Sequence, residues 1–524
     1  MSVVSFQFLI FFIIVMAVYF ILPGKLQWVW LMLSSLAYYC VNASIKQILF
    51  FLVFILINYI ATLSLDSDKC TPDNKAGKRK IYKFVLIFDV LVLAIFKYSV
   101  FFHEIFVKIA SLFSAHPTGE VFGIFKYYIS QYEPLHISYF LLIVVGYVTD
   151  VYQGKCKAIK NPGKMLLFSS YFPQMMSGPI VRYKQMENNL WGEKHRFSYD
   201  RVARGTMRVL WGVFKKLVIS ARCAILVDEI YGKYEIYPGI YIIFGTIMYA
   251  MQLYTDFSGL MDVVLGISEI LGIELPENFK APFFARSIAE FWRRWHITLG
   301  EFLKDYVLMP IQKGSLYKKL ANLCKKYLGK DYRKKYNIPA YLALLISWFL
   351  IGLWHGGGWN YIWGVGIYMW IIIVISELLT PVFSWLVKVL HINTDCFSYV
   401  LFQRVRTFIL YIFGLSFFRA ENFKQGVLIW KSAFSTWNPW VLFDQSLFEL
   451  GLDRREMAIV LFGLLLVLVT SAISESKDID IRDWLLSQNY VFRLFVCAVL
   501  FACVIVWGYY GMNFNAADFI YGRF

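Results

Sequence analysis

Long apolar runs alternate with short polar segments along the whole chain. Val3–Pro23, Gln47–Leu65, Phe84–Phe101, Tyr341–Trp354, Tyr361–Leu379, Ala458–Ile473 and Val491–Gly508 are apolar almost end to end. A helix that crosses a ~30 Å hydrocarbon core needs about 20 such residues, and these runs reach that length, some only with their flanks. The pattern predicts an all-α polytopic membrane protein with about 10–12 transmembrane helices. The first run has no basic residue before it and no small-residue cleavage site behind it, so it is expected to stay attached as a span. No internal repeat is visible, and no polar loop is long enough for a core of its own. Residues 1–524 are therefore read as one integral-membrane domain, with N-terminal spans in 1–130, a motif-bearing core in 131–380 and C-terminal spans in 381–524. Any chemistry is expected within the membrane or at its edge.

Two segments depart from simple crossing helices. Met165–Val181 is apolar but interrupted by Pro173 and by Gly178-Pro179, and basic residues flank it on both sides, Lys164 and Arg182. Equal charge at both ends fits a re-entrant segment better than a crossing. Beyond it, Arg201, Arg204, Arg208, Lys215 and Arg222 share one face of a helix expected to lie along the cytoplasmic interface. Two readings of that stripe stay open: snorkelling to lipid phosphates, or holding an anionic ligand.

Composition agrees with the pattern: 59% of the 524 residues are apolar, 19% are aromatic, and the mean hydropathy is +0.56. The net charge of +17 might point to nucleic acid, but Lys and Arg gather in loops between apolar runs, which excludes that reading. The clusters Lys69–Lys83, Lys155–Lys164 and Lys313–Lys335 are expected in the cytoplasm, which puts the N-terminus outside. The eight cysteines, at 40, 70, 156, 223, 324, 396, 497 and 503, show no CxxC pair or metal-ligand spacing. Neither disulfides nor a metal site are expected.

Of seven histidines, His103, His116, His195 and His391 read as surface residues, and His136 begins a span. The other two stand in apolar, aromatic surroundings. His355 lies in LWHGGGWN, where Gly356-Gly357-Gly358 should break the helix at about 1 kcal/mol per glycine relative to alanine. Counted from Lys335 at ~1.5 Å per residue, His355 falls beyond the bilayer middle. Irregular backbone at that depth is tolerated only in buried protein or beside a cavity, where a neutral imidazole can serve as general base. A helix end decorated with interfacial tryptophans and a hydrogen-bonded histidine fits the same spacing. His296 lies in EFWRRWHITLGEFLKDY, behind Arg293-Arg294, for which Glu290, Glu301 and Asp305 are candidate partners. The intramembrane acids Asp89, Asp256 and Asp262 admit structural and functional readings alike, and Asp89 is placed to meet Lys97 two turns on.

These residues fall in longer blocks: PLHISYFLLIVVGYVTDVYQGK (Pro134–Lys155), YFPQMMSGPIVRY (Tyr171–Tyr183), Tyr254–Ile311 with its RRWH, and WHGGGWNYIWG. Together they resemble the membrane-bound O-acyltransferase family in its bacterial alginate O-acetyltransferase branch, from the N-terminal SFQFLIFF to the C-terminal FIYGRF. The resemblance implies a helical bundle with re-entrant and interfacial helices around a central tunnel. It implies His355 of the WHG motif as the catalytic histidine and His296 of RRWH as a second important one. Trp292, Arg293, Arg294, Trp295, Ser177, Gly178, Pro179, Trp354 and Asn360 are the further candidates for the tunnel or substrate site. The implied reaction moves an acyl group, acetyl from acetyl-CoA first, from the cytoplasm toward an extracytoplasmic polysaccharide. No permanently bound cofactor is implied, and the group commonly passes through an SGNH-hydrolase-like extracytoplasmic partner. D-alanyl transfer from a carrier protein to teichoic acid is the rival within the family, and a lipid or polysaccharide transporter is the rival from another class. The implied location is the bacterial cytoplasmic membrane. The chain departs from the family pattern at PIQKG, at the GGG triplet and at the final GRF.

Overall fold

A backbone in hydrocarbon must satisfy its own N–H and C=O groups, and the described chain does so with helices. The computed structural model describes residues 1–66, 75–113, 120–175, 177–191 and 195–510. Cys70, His116, part of the first basic cluster and the C-terminal FIYGRF lie outside the described residues. Among the described residues there is no strand, only one isolated bridge between Phe279 and Trp295.

Among the described residues, seven helices are long and apolar enough to cross a membrane: Ile45–Asp66, Lys75–Leu112, Ile338–Gly356, Trp359–Leu378, Phe397–Arg419, Arg454–Lys477 and Tyr490–Trp507. Phe6–Ile21 and Ile137–Tyr152 are shorter apolar helices. The chain is thus a multi-pass membrane protein. The ten to twelve expected crossings would have to include helices outside the seven, such as Gly24–Asn42 and Ile240–Leu271. Helix Tyr490–Trp507 buries only 6% of its apolar window, leaving a surface that a bilayer would cover. Helix starts follow local chemistry. Ser5, Asn161, Asn422 and Asn489 each accept a backbone N–H at an N-cap, and Asp453 forms a capping box with Glu456.

Phe397–Arg419 escapes a reading by apolar runs because it carries Gln403, Arg404 and Arg406. The structure shows how those charges are accommodated. Arg404 donates to the carbonyl of Phe284 at 3.1 Å and lies over its ring, and Arg406 donates to the carbonyl of Arg286 at 2.9 Å.

The described chain divides into two compact units. The first holds residues 1–209 and 261–276, the second 210–260 and 277–510. In the first, the described part of Met165–Val181 holds no helix long enough to span a membrane. It forms helices Pro162–Ser170 and Phe172–Met175, of nine and four residues, both too short to span. Asp89 does not pair with Lys97. It accepts from Asn58 at 3.0 Å, and Lys97 donates to Ser138 at 2.9 Å. Eight residues place the two positions ~12 Å apart along the helix axis, well beyond the i,i+3 and i,i+4 spacings at which helix side chains are neighbours.

The basic stripe is where sequence and structure differ most. Helix Tyr199–Phe214 continues through a π-helical turn, Lys215–Ser220, into Ala221–Gly232; Arg204, Arg208 and Lys216 meet acids of Ile240–Leu271, while Arg201 donates to the Arg196 carbonyl and Arg222 to the Val218 carbonyl. In the first unit Arg204 pairs with Glu269 at 2.8 Å and Arg208 with Asp262 at 3.0 Å. In the second, Lys216 pairs with Asp256, and Lys215 donates to Ser258 at 2.8 Å. Glycines permit this approach. A Cβ at Gly205 would lie 2.6 Å from the Gly266 carbonyl in the first unit, and one at Gly259 would lie 2.8 Å from the Gly212 carbonyl in the second.

Candidate active site

His355 sits on the last turn of helix Ile338–Gly356 and is 3% exposed. The glycine triplet behind it has three separate uses. A Cβ at Gly356 would collide with the Tyr361 ring, Gly357 caps the helix at φ +69° with its N–H on the Leu353 carbonyl at 3.0 Å, and Gly358 opens the next helix. The chain then returns as helix Trp359–Tyr361, a π segment Ile362–Ile367 and helix Tyr368–Leu378. Close packing holds the hairpin: a Cβ at Gly352 would lie 2.7 Å from Ile362 Cα, and one at Gly366 would lie 2.9 Å from the Trp348 carbonyl. Asn360 pins the turn by donating to the Ala420 carbonyl at 2.7 Å. Its role here is to anchor the turn that follows His355.

His296 lies between helices Ile288–Arg294 and Ile297–Leu303, at φ +47°. That left-handed conformation is uncommon for a residue with a side chain and is held by the neighbouring backbone. Lys280 N–H donates to Arg294 O at 3.0 Å, and Ile297 N–H to Asn278 O at 3.1 Å. Asn278 Oδ1 lies 3.2 Å from His296 Nδ1 and also accepts from the backbone N–H of Thr298 at 3.1 Å. A backbone N–H can only donate, so that Asn278 atom is the carbonyl oxygen, and His296 Nδ1 carries the proton. Nε2 is left as the acceptor nitrogen. Burial pushes the His296 imidazole down to about 3, so the ring is neutral at ordinary pH.

The two histidines stand 59 positions apart in sequence (355 − 296), and the structure brings them to one cavity. It has a volume of about 140 Å³, lies within the second unit and is walled mainly by leucine, isoleucine and tryptophan, with Trp292, Trp295 and Trp348 among them. The Trp354 ring lies 5.8 Å from the His296 ring and 5.0 Å from the His355 ring, and Phe418 packs edge-on to His355 at 5.0 Å. An apolar enclosure strengthens every polar interaction formed inside it.

Trp292 and Trp295 line the cavity, and Trp354 buttresses both histidines without lining it. Arg294 reaches Glu290 at 2.7 Å and clasps Glu475 through two bonds of 2.8 Å, while Arg293 is exposed. The Glu475 partner, 181 residues away, carries no local sequence signal. Ser177, at φ +69°, Gly178 and Pro179 belong to the first unit. A Cβ at Gly178 would lie 2.8 Å from Gln174 Cα, so any side chain there first disturbs that turn. Asn278, which sets the His296 tautomer, Ser347 of the cavity wall and Lys304 were not anticipated as site residues. Asn278 lies in the block that carries the resemblance, but only the folded loop gives it a task.

The sequence profile of the membrane-bound O-acyltransferase family matches residues 80–418, which include both histidines. A probable alginate O-acetylase of Pseudomonas syringae pv. tomato is 31% identical over 290 residues, 55% of this chain and 49% of that protein. A peptidoglycan O-acetyltransferase of Helicobacter pylori is 31% identical over 368 residues, 64% of this chain and 62% of that protein. A teichoic acid D-alanyltransferase of Bacillus subtilis is 30% identical over 240 residues, 44% of this chain and 55% of that protein. The chain spans about half the length of the first of these relatives and less than two thirds of the other two.

Proposed function

The chain belongs to the membrane-bound O-acyltransferase family, and on that premise we propose that it is an O-acyltransferase of the bacterial cytoplasmic membrane, its N-terminus outside. It moves an acyl group, acetyl from acetyl-CoA, from the cytoplasmic side toward O-acetylation of an extracytoplasmic polysaccharide. An SGNH-hydrolase-like partner outside the membrane receives the group or completes the transfer. The observation that carries the reading is that His296 and His355 line one apolar cavity.

The chemistry follows from a neutral imidazole in that setting. His355 takes the proton of the attacking hydroxyl as its oxygen bonds to the thioester carbonyl carbon. The C–S bond then breaks, and the sulfur leaves as the thiol with the proton returned by the imidazolium. No oxidant or reductant enters. His296, its Nδ1 proton engaged by Asn278, offers Nε2 to orient the attacking hydroxyl. The Bacillus subtilis relative favours a second reading, D-alanyl transfer from a carrier protein to teichoic acid, which uses the same thioester chemistry.

His355→Ala tests the assignment. The expected result is a loss of transfer of ~10²–10⁴ with the protein still inserted and folded. Full activity in a well-expressed variant removes His355 from the mechanism and returns a transporter to contention.

A further inference from the structure

The basic cluster Lys313–Lys335 contributes nothing to the cavity wall, yet it has a regular structure of its own. Ser315–Leu328 is a helix of 14 residues, SLYKKLANLCKKYL, preceded by Gly314 and ended by Gly329 at φ +85°. At ~1.5 Å per residue it is about 21 Å long, too short to cross a hydrocarbon core. It lies in the second unit and packs against helix Ile338–Gly356, from which only residues 329–337 separate it.

At ~100° per residue its side chains sort into distinct faces. Ala321 and Cys324 are buried and, with Leu320, join Tyr332 in a small core. About a quarter turn round the helix, Leu316, Leu323 and Tyr327 form an apolar edge that stays 79%, 51% and 74% exposed. Lys319 and Lys326 each stand three residues beyond a leucine of that edge, which sets them ~60° to its side, whereas Lys318 and Lys325 fall nearly opposite it. All four lysines are exposed, and residues 313–328 contain no acid. Among the described residues, no carboxylate pairs with any of the four. The stripe on Tyr199–Phe214 is the contrary case, since its Arg204 and Arg208 are each met by a carboxylate.

We propose that helix Ser315–Leu328 lies in the membrane surface and binds anionic phospholipid headgroups, with Leu316, Leu323 and Tyr327 at the acyl boundary and Lys319 and Lys326 on lipid phosphates. A helix of this kind buries its apolar edge ~5–10 Å into the boundary and keeps its cations at headgroup level. Lysine suits that place, because its stem runs along apolar surface while its ammonium reaches out to a phosphate. Leucine and lysine both repeat after seven residues on this edge, which gives two such contacts ~10 Å apart. Packing against a spanning helix holds the edge at the bilayer, so lipid reaches it before any soluble acidic partner. Lys318 and Lys325 face away from the edge, toward water. In the orientation proposed above the leaflet is the cytoplasmic one, whose negative surface potential attracts such a face.

The test uses the full chain in lipid nanodiscs, with the native cysteines replaced and a bimane fluorophore on L323C, and with L316C as a second labelling site. Quenching by brominated phosphatidylglycerol, set against quenching by brominated phosphatidylcholine, gives the ratio of the two lipids' binding constants at the label. Both lipids are expected to quench. Each lysine near a lipid surface contributes about fivefold, so the two together should favour phosphatidylglycerol about 25-fold. K319Q or K326Q alone should lower the ratio about fivefold, the two together should bring it to about one, and K319R with K326R should keep it. K318Q with K325Q should change it by less than about twofold, because those lysines stand a helix diameter of ~10 Å away, about one Debye length. A label that neither lipid quenches puts the helix off the bilayer and overturns the proposal, and protection of that label by an added acidic protein then gives the face to a protein partner. A ratio near one in the labelled parent, or equal falls in the two double glutamine variants, overturns the phosphate site.

Discussion

Ionisable groups are buried in two places in the second unit, and they are treated oppositely. At the π-helical turn Lys215–Ser220, Lys216 is met by the carboxylate of Asp256, with side chains 6% and 4% exposed. At the cavity, His296 is held by a neutral amide oxygen and ringed by Phe257 and Trp354. A buried charge that meets its opposite is electrostatically satisfied and has little left to offer a substrate. A neutral imidazole with a fixed tautomer costs little to bury and keeps its acid–base capacity. The first arrangement holds helices together, and the second leaves a neutral imidazole beside a space.

Substitutions should separate the two. His355→Ala carries the largest expected effect, the ~10²–10⁴ loss of transfer described above, with little change in the thermal midpoint of the detergent-solubilised protein. Asp256→Ala should do the reverse. It strands a buried lysine and should cost about 3–5 kcal/mol of stability, seen as loss of folded protein, whereas Asp256→Leu with Lys216→Met should recover most of it. If the double variant is as unstable as the single one, the pair does more than satisfy its own charges. If it folds but transfers nothing, the contrast between the two regions is wrong.

Of the cavity wall, Trp292, Trp295, His296 and His355 were legible in the sequence as candidates, and the ion pairs only in part. Histidines in aromatic surroundings beside a glycine break or an arginine pair are visible locally, and RRWH and WHG mark both of them. That the two share a cavity is not local information. Neither is the Arg294 clasp on Glu475, which depends on two helices meeting across 181 residues. The periodicity of Arg201, Arg204, Arg208, Lys215 and Arg222 found the helix face but not what it faces, because acids on Ile240–Leu271 appear in sequence as isolated residues in an apolar run. The π-helical turn has no composition signature, and it shifts the register of every residue after Lys215 on that face. Asn278 was invisible for a similar reason, since its task exists only where two loops lie side by side.

Asn278 offers a middle-sized test on the cavity side. Asn278→Ala removes the acceptor that fixes the His296 tautomer and should lower transfer about tenfold, the weight of one buried hydrogen bond. Asn278→Asp keeps an acceptor for both His296 and Thr298, so activity should largely return. A carboxylate beside the ring stabilises the imidazolium and raises its pKa, so the acid limb of the pH–rate profile should move to higher pH. Equal losses in both variants, with no movement of that limb, would reduce Asn278 to a loop-packing residue.

The smallest effect is expected at the exposed end of the basic face, and it shows whether burial sets the weight of these pairs. Side-chain exposures fall from 34% and 21% at Arg204–Glu269, through 11% and 16% at Arg208–Asp262, to 6% and 4% at Lys216–Asp256. Water and salt screen the first pair, so Glu269→Gln should cost about 0–1 kcal/mol, and less as ionic strength rises. Asp262→Asn should cost more, and Asp256→Asn most, because each leaves its cation in a drier place. Arg204 is also the cation that a lipid phosphate could reach when its carboxylate is removed. In bilayers containing anionic lipid the Glu269→Gln loss should therefore shrink further than in neutral detergent, while the Asp256→Asn loss should not change. A graded series measured by thermal unfolding in both media would tie the weight of each pair to its burial. A flat series, with Glu269→Gln as damaging as Asp256→Asn, would mean that the pairs act as one network and that the exposed end is as structural as the buried one.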